Sequence, residues 1–356
     1  MQIHYYISGH GLGHASRSIE IIRALTAAAP DVRVVVRTSA PEWFFESAGP
    51  ACDVQRADVD TGVVQFDSLR IDAAKTLETA AAFYREFDRR ADADAERLSA
   101  AGADLVVGDI PPLAFAAAAR AGIRSLAVGN FTWDWIYGAY PAFAEEAPHV
   151  VPTIRAAYDA ADVMCRLPFH GGFDGRAPVE DVPLVARHSV RDRADTRRRL
   201  GIPDGRPAVL ASFGAYGAPL PESLLGRSHA FTFLSFDRRP PGDVSYEDVV
   251  AAVDVVVSKP GYGIVSDCVA NDTALLYTSR GAFAEYDVFV SEMPRVLRCR
   301  YIDQHELVSG RWERALDALL RQPLPPERWR IDGAAVIATR IVEIAARDRP
   351  ARRFPR

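Results

Sequence analysis

Twice along this chain a short apolar run leads into a glycine-containing turn and then into a helical pattern. Residues 2–8 (QIHYYIS) read as a strand, 9–14 (GHGLGH) as the turn, and 15–28 as an amphipathic helix with Ile19, Ile22 and Leu25 on one face. Residues 254–263 (DVVVSKPGYG) repeat the strand and loop, ahead of a helical pattern at 264–271. Around them strands at 32–39, 104–109, 124–130, 207–214 and 274–279 alternate with helices at 73–100, 113–121, 246–253 and 333–347. Such alternation demands parallel strands, because a parallel neighbour is reached only through a crossover, and the fold class is α/β with doubly wound sheets. A chain of 356 residues is long enough for two such cores. The proline- and glycine-rich stretch around 168–190 reads as their connection. The expected organisation is a Rossmann-like domain at 1–185, a second at 186–335 facing it across a cleft, and a C-terminal helix and basic tail at 336–356 that packs back on the first domain.

Composition narrows the partners. The net charge of −5 argues against a nucleic-acid ligand, which usually requires a basic surface. Only Lys75 and Lys259 are lysines, against forty arginines, so a lysine in a glycine loop attracts notice. The four cysteines lie far apart and read as small buried residues in a reducing compartment. The first residues lack the pattern of a signal peptide, and no apolar run approaches the ~18–20 residues of a membrane span. A cytoplasmic protein is expected, with at most peripheral membrane contact through the basic end at 346–356 (ARDRPARRFPR).

The first loop carries Gly9, His10, Gly11, Gly13 and His14 at the carboxyl end of a strand, where doubly wound sheets bind ligands. A dinucleotide fingerprint would need glycine at 14, and histidine there removes the main support for NAD or FAD. The histidines are either ordinary turn residues or functional groups. Two in one glycine turn favour function, with His14, at the helix start, the better candidate for a general base.

In the second loop, Lys259, Gly261, Tyr262 and Gly263 precede a helix whose amide groups and dipole suit a diphosphate. The spacing is not that of a P-loop. Asp267, four residues after Gly263, and the pair Arg280 and Glu285, after the next strand, add a carboxylate, a cation and a second carboxylate. Each acid alone reads as a surface group; together, after adjacent strands, they favour a ligand site.

These residues resemble a GT-B glycosyltransferase of the family 28 type. GHGLGHASR (9–17) and the block SKPGYGIVSDCVANDTALLYTSRGAFAEY (258–286) carry the likeness. A closer resemblance is to the glycosyltransferase-like N-terminal region of plant L-arabinokinase. It extends to the DSL at 67–69, DLVVGDIPPLAFAAAARAGI at 104–123, VGNFTWDWIYGAY at 128–140, DVPLVAR at 181–187 and RRRLGI at 197–202, and covers most of residues 1–312. There a sugar kinase follows; no kinase phosphate loop occurs here, and kinase activity is not expected.

The resemblance implies that the C-terminal half binds a nucleotide diphosphate sugar, with Gly261, Tyr262 and Gly263 beside the diphosphate, Asp267 on the ribose and Glu285 near the sugar. Gly214, in the loop Phe213–Gly217, matches another glycine loop of the family, and His14 matches a candidate base or sugar contact. Asp109, after its strand, either orients such a histidine, binds acceptor hydroxyls or caps a helix. Asn130 lies in the acceptor half beside Trp133, which is suited to stacking on a sugar, although an aromatic there is more often core. Asp58 and Asp60 mimic a metal-binding DxD but read as a solvated turn, and no metal or other cofactor is expected. The expected activity is inverting transfer from a nucleotide sugar, UDP-linked by preference, to a hydroxyl of an unknown sugar, lipid or small-molecule acceptor. The alternative is a non-catalytic module that binds a sugar nucleotide or sugar phosphate.

Overall fold

Twelve of the strands form two parallel sheets whose order reverses once in each, each reversal bringing two strand ends together, and the other two pair antiparallel. The computed structural model describes residues 1–48, 52–214, 217, 230–236 and 240–346. In chain order the strands are β1 (Gln2–Ile7), β2 (Arg33–Thr38), β3 (Asp53–Arg56), β4 (Gln65–Asp67), β5 (Arg70–Ile71), β6 (Leu105–Asp109) and β7 (Arg124–Phe131). They continue with β8 (Val163–Gly171), β9 (Val179–Asp181), β10 (Ala208–Ala211), β11 (Thr232–Leu234), β12 (Val255–Ser258), β13 (Ala274–Tyr277) and β14 (Cys299–Tyr301).

Contacts divide the chain into two compact units, and the division differs from the sequence boundaries at two places. The first unit contains Met1–Val64, Asp72–Val185 and the segment from Ile331; the second contains Gln65–Ile71 and Ala186–Arg330. Seven parallel strands, ordered β3-β2-β1-β6-β7-β8-β9, make the sheet of the first unit. Its central strands are buried on both faces and are accordingly apolar almost throughout, as in β1 and β6. The stretch taken as a linker is partly strand, since β8 runs to Gly171 and β9 follows.

Helix Gly13–Ala28 follows β1, buries Ile19, Ile22 and Leu25, and stops before Pro30, whose ring cannot continue it. The helix expected over 73–100 is two helices, Ala73–Arg85 and Phe87–Ala101. At the junction the Glu86 amide donates to Phe83 O, a tighter turn that lets Tyr84 stack on Phe87. The C-terminal helix, Gly333–Ala346, packs on helix Gly13–Ala28, and Arg340 grips Glu180 through two hydrogen bonds of 2.6 and 2.9 Å. Gly333 is needed there, because a Cβ would lie 2.1 Å from the Pro183 carbonyl oxygen.

In the second unit the sheet order is β11-β10-β12-β13-β14, again parallel. Val209, Val255, Val257 and Leu276 pack with Leu307, Trp312, Leu316 and Leu319 beneath one face. Leu69 joins this core although it precedes Asp72 of the first unit, so residues 65–71 form a strap built into the second unit. Cys165 and Cys268 are buried, and burial pushes the Cys165 thiol up to about 12. Among the described residues no helix is long and apolar enough to cross a membrane.

Candidate functional site

In the first unit the order reverses between β1 and β6, and ligand sites of doubly wound sheets form at such switch points. Register aligns Ile7 with Asp109, and Ser8 N–H donates to Asp109 O at 2.8 Å. The chain leaves β1 through Gly11, whose φ of +69° favours glycine, and enters the helix with His14, Arg17 and Ser18 on one face. All three meet Asp109. His14 Nδ1 is 2.8 Å from Oδ1; Arg17 donates from Nη2 to Oδ1 at 2.6 Å and from Nε to Oδ2 at 2.7 Å; Ser18 Oγ donates to Oδ2 at 2.9 Å. Arg17 Nη1 then donates to Asn130 Oδ1 at 2.6 Å, and Asn130 Nδ2 to Phe169 O.

Asp109 is fully buried. Burial alone would raise its carboxyl, but the Arg17 charge and hydrogen bonds, with His14, hold it at about 2. Arg17 Nη2 also lies 3.0 Å from His14 Nδ1. Since the Asp109 oxygens can only accept, the consistent assignment has Nδ1–H donating to Asp109, and Nε2 is then the basic nitrogen. Sequence reasoning missed Arg17 and Ser18, although their i+3 and i+4 spacing from His14 was visible.

Arg17→Met removes the charge that holds Asp109 ionised, and the unfolding free energy should fall by about 3–5 kcal/mol, as read by urea titration. Because the folded carboxyl sits below its unfolded value, its stabilisation is present above pH about 4 and lost as pH falls toward about 2. In Arg17→Met that acid-labile stabilisation should shrink or disappear, because the burial that raises the carboxyl is no longer opposed by the Arg17 charge.

A second cluster closes over the same loop, and it corrects two expectations. Asp58 is exposed, but Asp60 is buried rather than a solvated turn residue. Trp133 Nε1 donates to Asp60 Oδ2 at 3.0 Å, and the Ser8 side chain and Gly9 amide also hydrogen-bond to this carboxylate. Trp133 is itself fully buried and stacked on Tyr137 at 5.5 Å, so it is core and offers no sugar platform. His10 Nδ1 accepts from Val63 N–H at 3.2 Å, and a Cβ on Gly62 would come within 2.8 Å of the His10 ring. Gly9 is similarly tight, with Ser39 Oγ 1.9 Å from where its Cβ would stand. Gly13 opens the helix.

In the second unit the order reverses between β10 and β12. Ser258 Oγ donates to Ser212 O at 2.5 Å, tying the two strand ends together. Helix Tyr262–Ala270 starts directly after Gly261, with the first-turn amides of Tyr262, Gly263 and Ile264 beyond the reach of its own hydrogen-bond ladder. Arg280 lies beside this start: its Nη1 would be 4.0 Å from a Cβ on Gly261. Arg280 stacks on Phe283 at 3.9 Å and pairs with buried Glu285 at 3.4 Å. Lys259 Nζ donates to Gln65 Oε1 of the strap at 3.1 Å. Burial, then the Arg280 charge, pulls the Lys259 amine down to about 7, against Glu285 and Asp67. Ser68 of the strap donates through Oγ to Phe213 O and through N to Gly217 O, fixing both ends of the remaining glycine loop. Gly214 of that loop is exposed, with φ of +69°; Ala215 and Tyr216 lie outside the described residues.

Asp267 does not stand ready for a ribose. It is buried, and Arg187 takes both oxygens: backbone N–H to Oδ1 at 3.0 Å, and Nε and Nη2 to Oδ2 at 3.0 and 2.5 Å. The Arg187 guanidinium also lies 4.5 Å over the Tyr246 ring, and Tyr246 shares a hydrogen bond with Ser212. Asp267 thus anchors the segment entering the second unit. Arg187, Gln65 and Asp67 went unnoticed in the sequence, although the first lies within the resembling stretch at 181–187 and the last within that at 67–69. Among the described residues no group of three or more His, Cys, Asp or Glu side chains is arranged to hold a metal.

No protein-family profile matches the chain. L-arabinokinase of Arabidopsis thaliana is 33% identical over 327 residues, 86% of this chain. The chain spans only 31% of that relative's length. Among solved structures, the calicheamicin glycosyltransferase CalG4 superposes with a TM-score of 0.61 at 16% identity, over 98% of this chain and 99% of that one. UGT2 of Phytolacca americana, solved with UDP-2-fluoroglucose and pterostilbene, gives 0.58 at 13% identity, over 97% and 94%. At these identities the structural likeness shows the fold, and both sheets share it. The chain has the fold of the GT-B glycosyltransferases and is similar in sequence to a part of L-arabinokinase.

Proposed function

We propose that the protein transfers a sugar from a nucleotide diphosphate sugar, UDP-linked by preference, to a hydroxyl acceptor, with inversion and without a metal. The observation that carries this reading is the buried His14–Asp109 pair at the switch point of the first sheet. His14 Nε2 accepts the acceptor's hydroxyl proton while Nδ1–H stays on Asp109; the alkoxide attacks the anomeric carbon and the nucleoside diphosphate leaves from the opposite face. In the second unit, the amides of Tyr262 and Gly263, with Lys259 and Arg280, offer fixed positive charge to that leaving group, the role a metal would otherwise fill. The UDP sugar bound to the structurally similar UGT2 supports the donor class. Gly214 and Glu285 remain proposed donor contacts, and Gly9, Gly11 and Gly13 shape the loop that carries the base.

Incubation with UDP- and dTDP-sugars tests this reading. A true donor at 100 times its Kd adds about 2.7 kcal/mol of stability, a rise of several degrees in Tm. Hydrolysis or transfer should follow, unaffected by EDTA, with the product's anomeric configuration inverted. Neither a shift nor turnover with any donor would overturn the proposal. A shift with no hydrolysis or transfer would favour the binding-module reading, which the similarity to a sugar kinase supports.

A further inference from the structure

Resting on the reading that Lys259 meets the donor diphosphate, we propose that Gln65 is a positioning residue that works through Lys259. Its side-chain carbonyl holds the ammonium head in place and leaves the charge uncancelled for the ligand. An ammonium only donates, so the 3.1 Å contact runs from Lys259 Nζ to Gln65 Oε1, a neutral acceptor. The charged groups that act on Lys259 are Arg280, Glu285 and Asp67, and both acids are already engaged. Asp67 accepts from Arg70 Nε and from Leu69 N–H, each at 2.8 Å. Glu285 pairs with Arg280 at 3.4 Å. Among the described residues no carboxylate forms an ion pair with Lys259. With Arg70 and Arg280 cancelling the two acids, the protonated amine is the charge left over.

The strap gives Gln65 a fixed backbone to project from. Leu69 is packed in the core of the second unit, and buried Ser68 donates from Oγ to Phe213 O and from N to Gly217 O at 3.2 Å. A Cβ on Gly281 would stand 3.8 Å from Leu69 O, so the strap also lies against the loop after β13. Short as they are, β4 and β5 close the strap on itself, Gln65 pairing with Ile71 and Asp67 with Arg70. Residues 65–71 thus meet the loops after β10, β12 and β13, and at the middle one the meeting point is Gln65 with Lys259. A lysine stem has four rotatable bonds, and ordering it only when the ligand arrives would cost affinity. A partner that orders the head beforehand removes part of that cost. A carboxylate at position 65 would order the head equally well but cancel its charge, whereas a carbonyl orders it and leaves the charge.

Because Lys75 and Lys259 are the only lysines, 13Cε-lysine labelling gives signals from these two alone. Lys75, exposed and paired with Glu78, is the internal reference. In the free protein Gln65→Glu should raise the Lys259 titration from about 7 by about one unit or more and leave Lys75 unmoved. Calorimetry then uses UDP or dTDP, whichever the wild-type chain binds. Gln65→Met, which removes the carbonyl, should raise Kd about three- to tenfold. In the Lys259→Met background the same change should cost nothing further, because Gln65 acts through the ammonium. Gln65→Glu should weaken nucleotide binding about tenfold while Tm holds or rises; a purely structural tie would leave Kd unchanged. An unmoved Lys259 titration, an unchanged Kd in Gln65→Met, or an equal further loss in the Lys259→Met background overturns the proposal and leaves the donor reading standing. If neither nucleotide binds, or binding survives Lys259→Met, the donor reading of this loop falls and the proposal with it, even with the titration as expected.

Discussion

His14→Gln should lower kcat by about 10²–10⁴-fold while leaving the Kd for the nucleotide-sugar donor within about twofold. Glutamine suits this test because His14 is buried and edge-packed on Phe131 at 5.5 Å. Alanine there would open a hole, and the lost packing would mix with the lost chemistry. A glutamine amide can still donate toward Asp109, so the Arg17–Asp109–Asn130 network keeps its partners. It has no basic nitrogen, however, and the acceptor hydroxyl must then ionise without help. Initial rates give kcat, and calorimetry with the donor alone gives Kd. Equal loss of both would mean that His14 holds the loop or binds the donor. Unchanged turnover would remove it from the chemistry.

The sequence reveals His14 more readily than its surroundings, for physical reasons. Strands such as β1 and β12 are buried on both faces and show as contiguous apolar runs. The glycine turn after β1 stands out because positive φ at Gly11 and close approach at Gly9 restrict the residue type. Partners brought together by folding leave no local trace. Asp60 and Trp133 are 73 residues apart, and Arg187 and Asp267 are 80 apart. An aspartate in a polar stretch therefore reads as solvated until the fold encloses it. Arg17 was hidden differently, since one useful arginine among forty carries no compositional signal. The strap escaped notice because β4 and β5, of three and two residues, are too short to show a period. The split at Glu86 has no proline or glycine to announce it.

Lys259→Met should raise the donor Kd by about 10- to 100-fold, the loss of a charge-assisted hydrogen bond of about 1.5–3 kcal/mol. In the unmodified protein the same interaction should make binding depend on pH. The amine sits at about 7 without ligand, so it is half charged at neutral pH. A bound diphosphate favours the protonated form and raises that value, so the complex takes up a proton. Binding is therefore strongest below pH about 7 and weakens as pH rises through it, by up to about tenfold per unit. The neighbouring Arg280 stays charged throughout, and a sugar nucleotide's diphosphate has no proton left to lose in this window. Calorimetry in buffers of different ionisation enthalpy should detect the uptake directly, growing from about half a proton at pH 7 toward one above it. Lys259→Arg should bind with a Kd nearly constant from pH 6 to 9, because guanidinium does not titrate there. If the unmodified protein shows the same flat profile and no proton uptake, Lys259 does not touch the diphosphate. Its contact with Gln65 at 3.1 Å is then a structural tie between strap and loop.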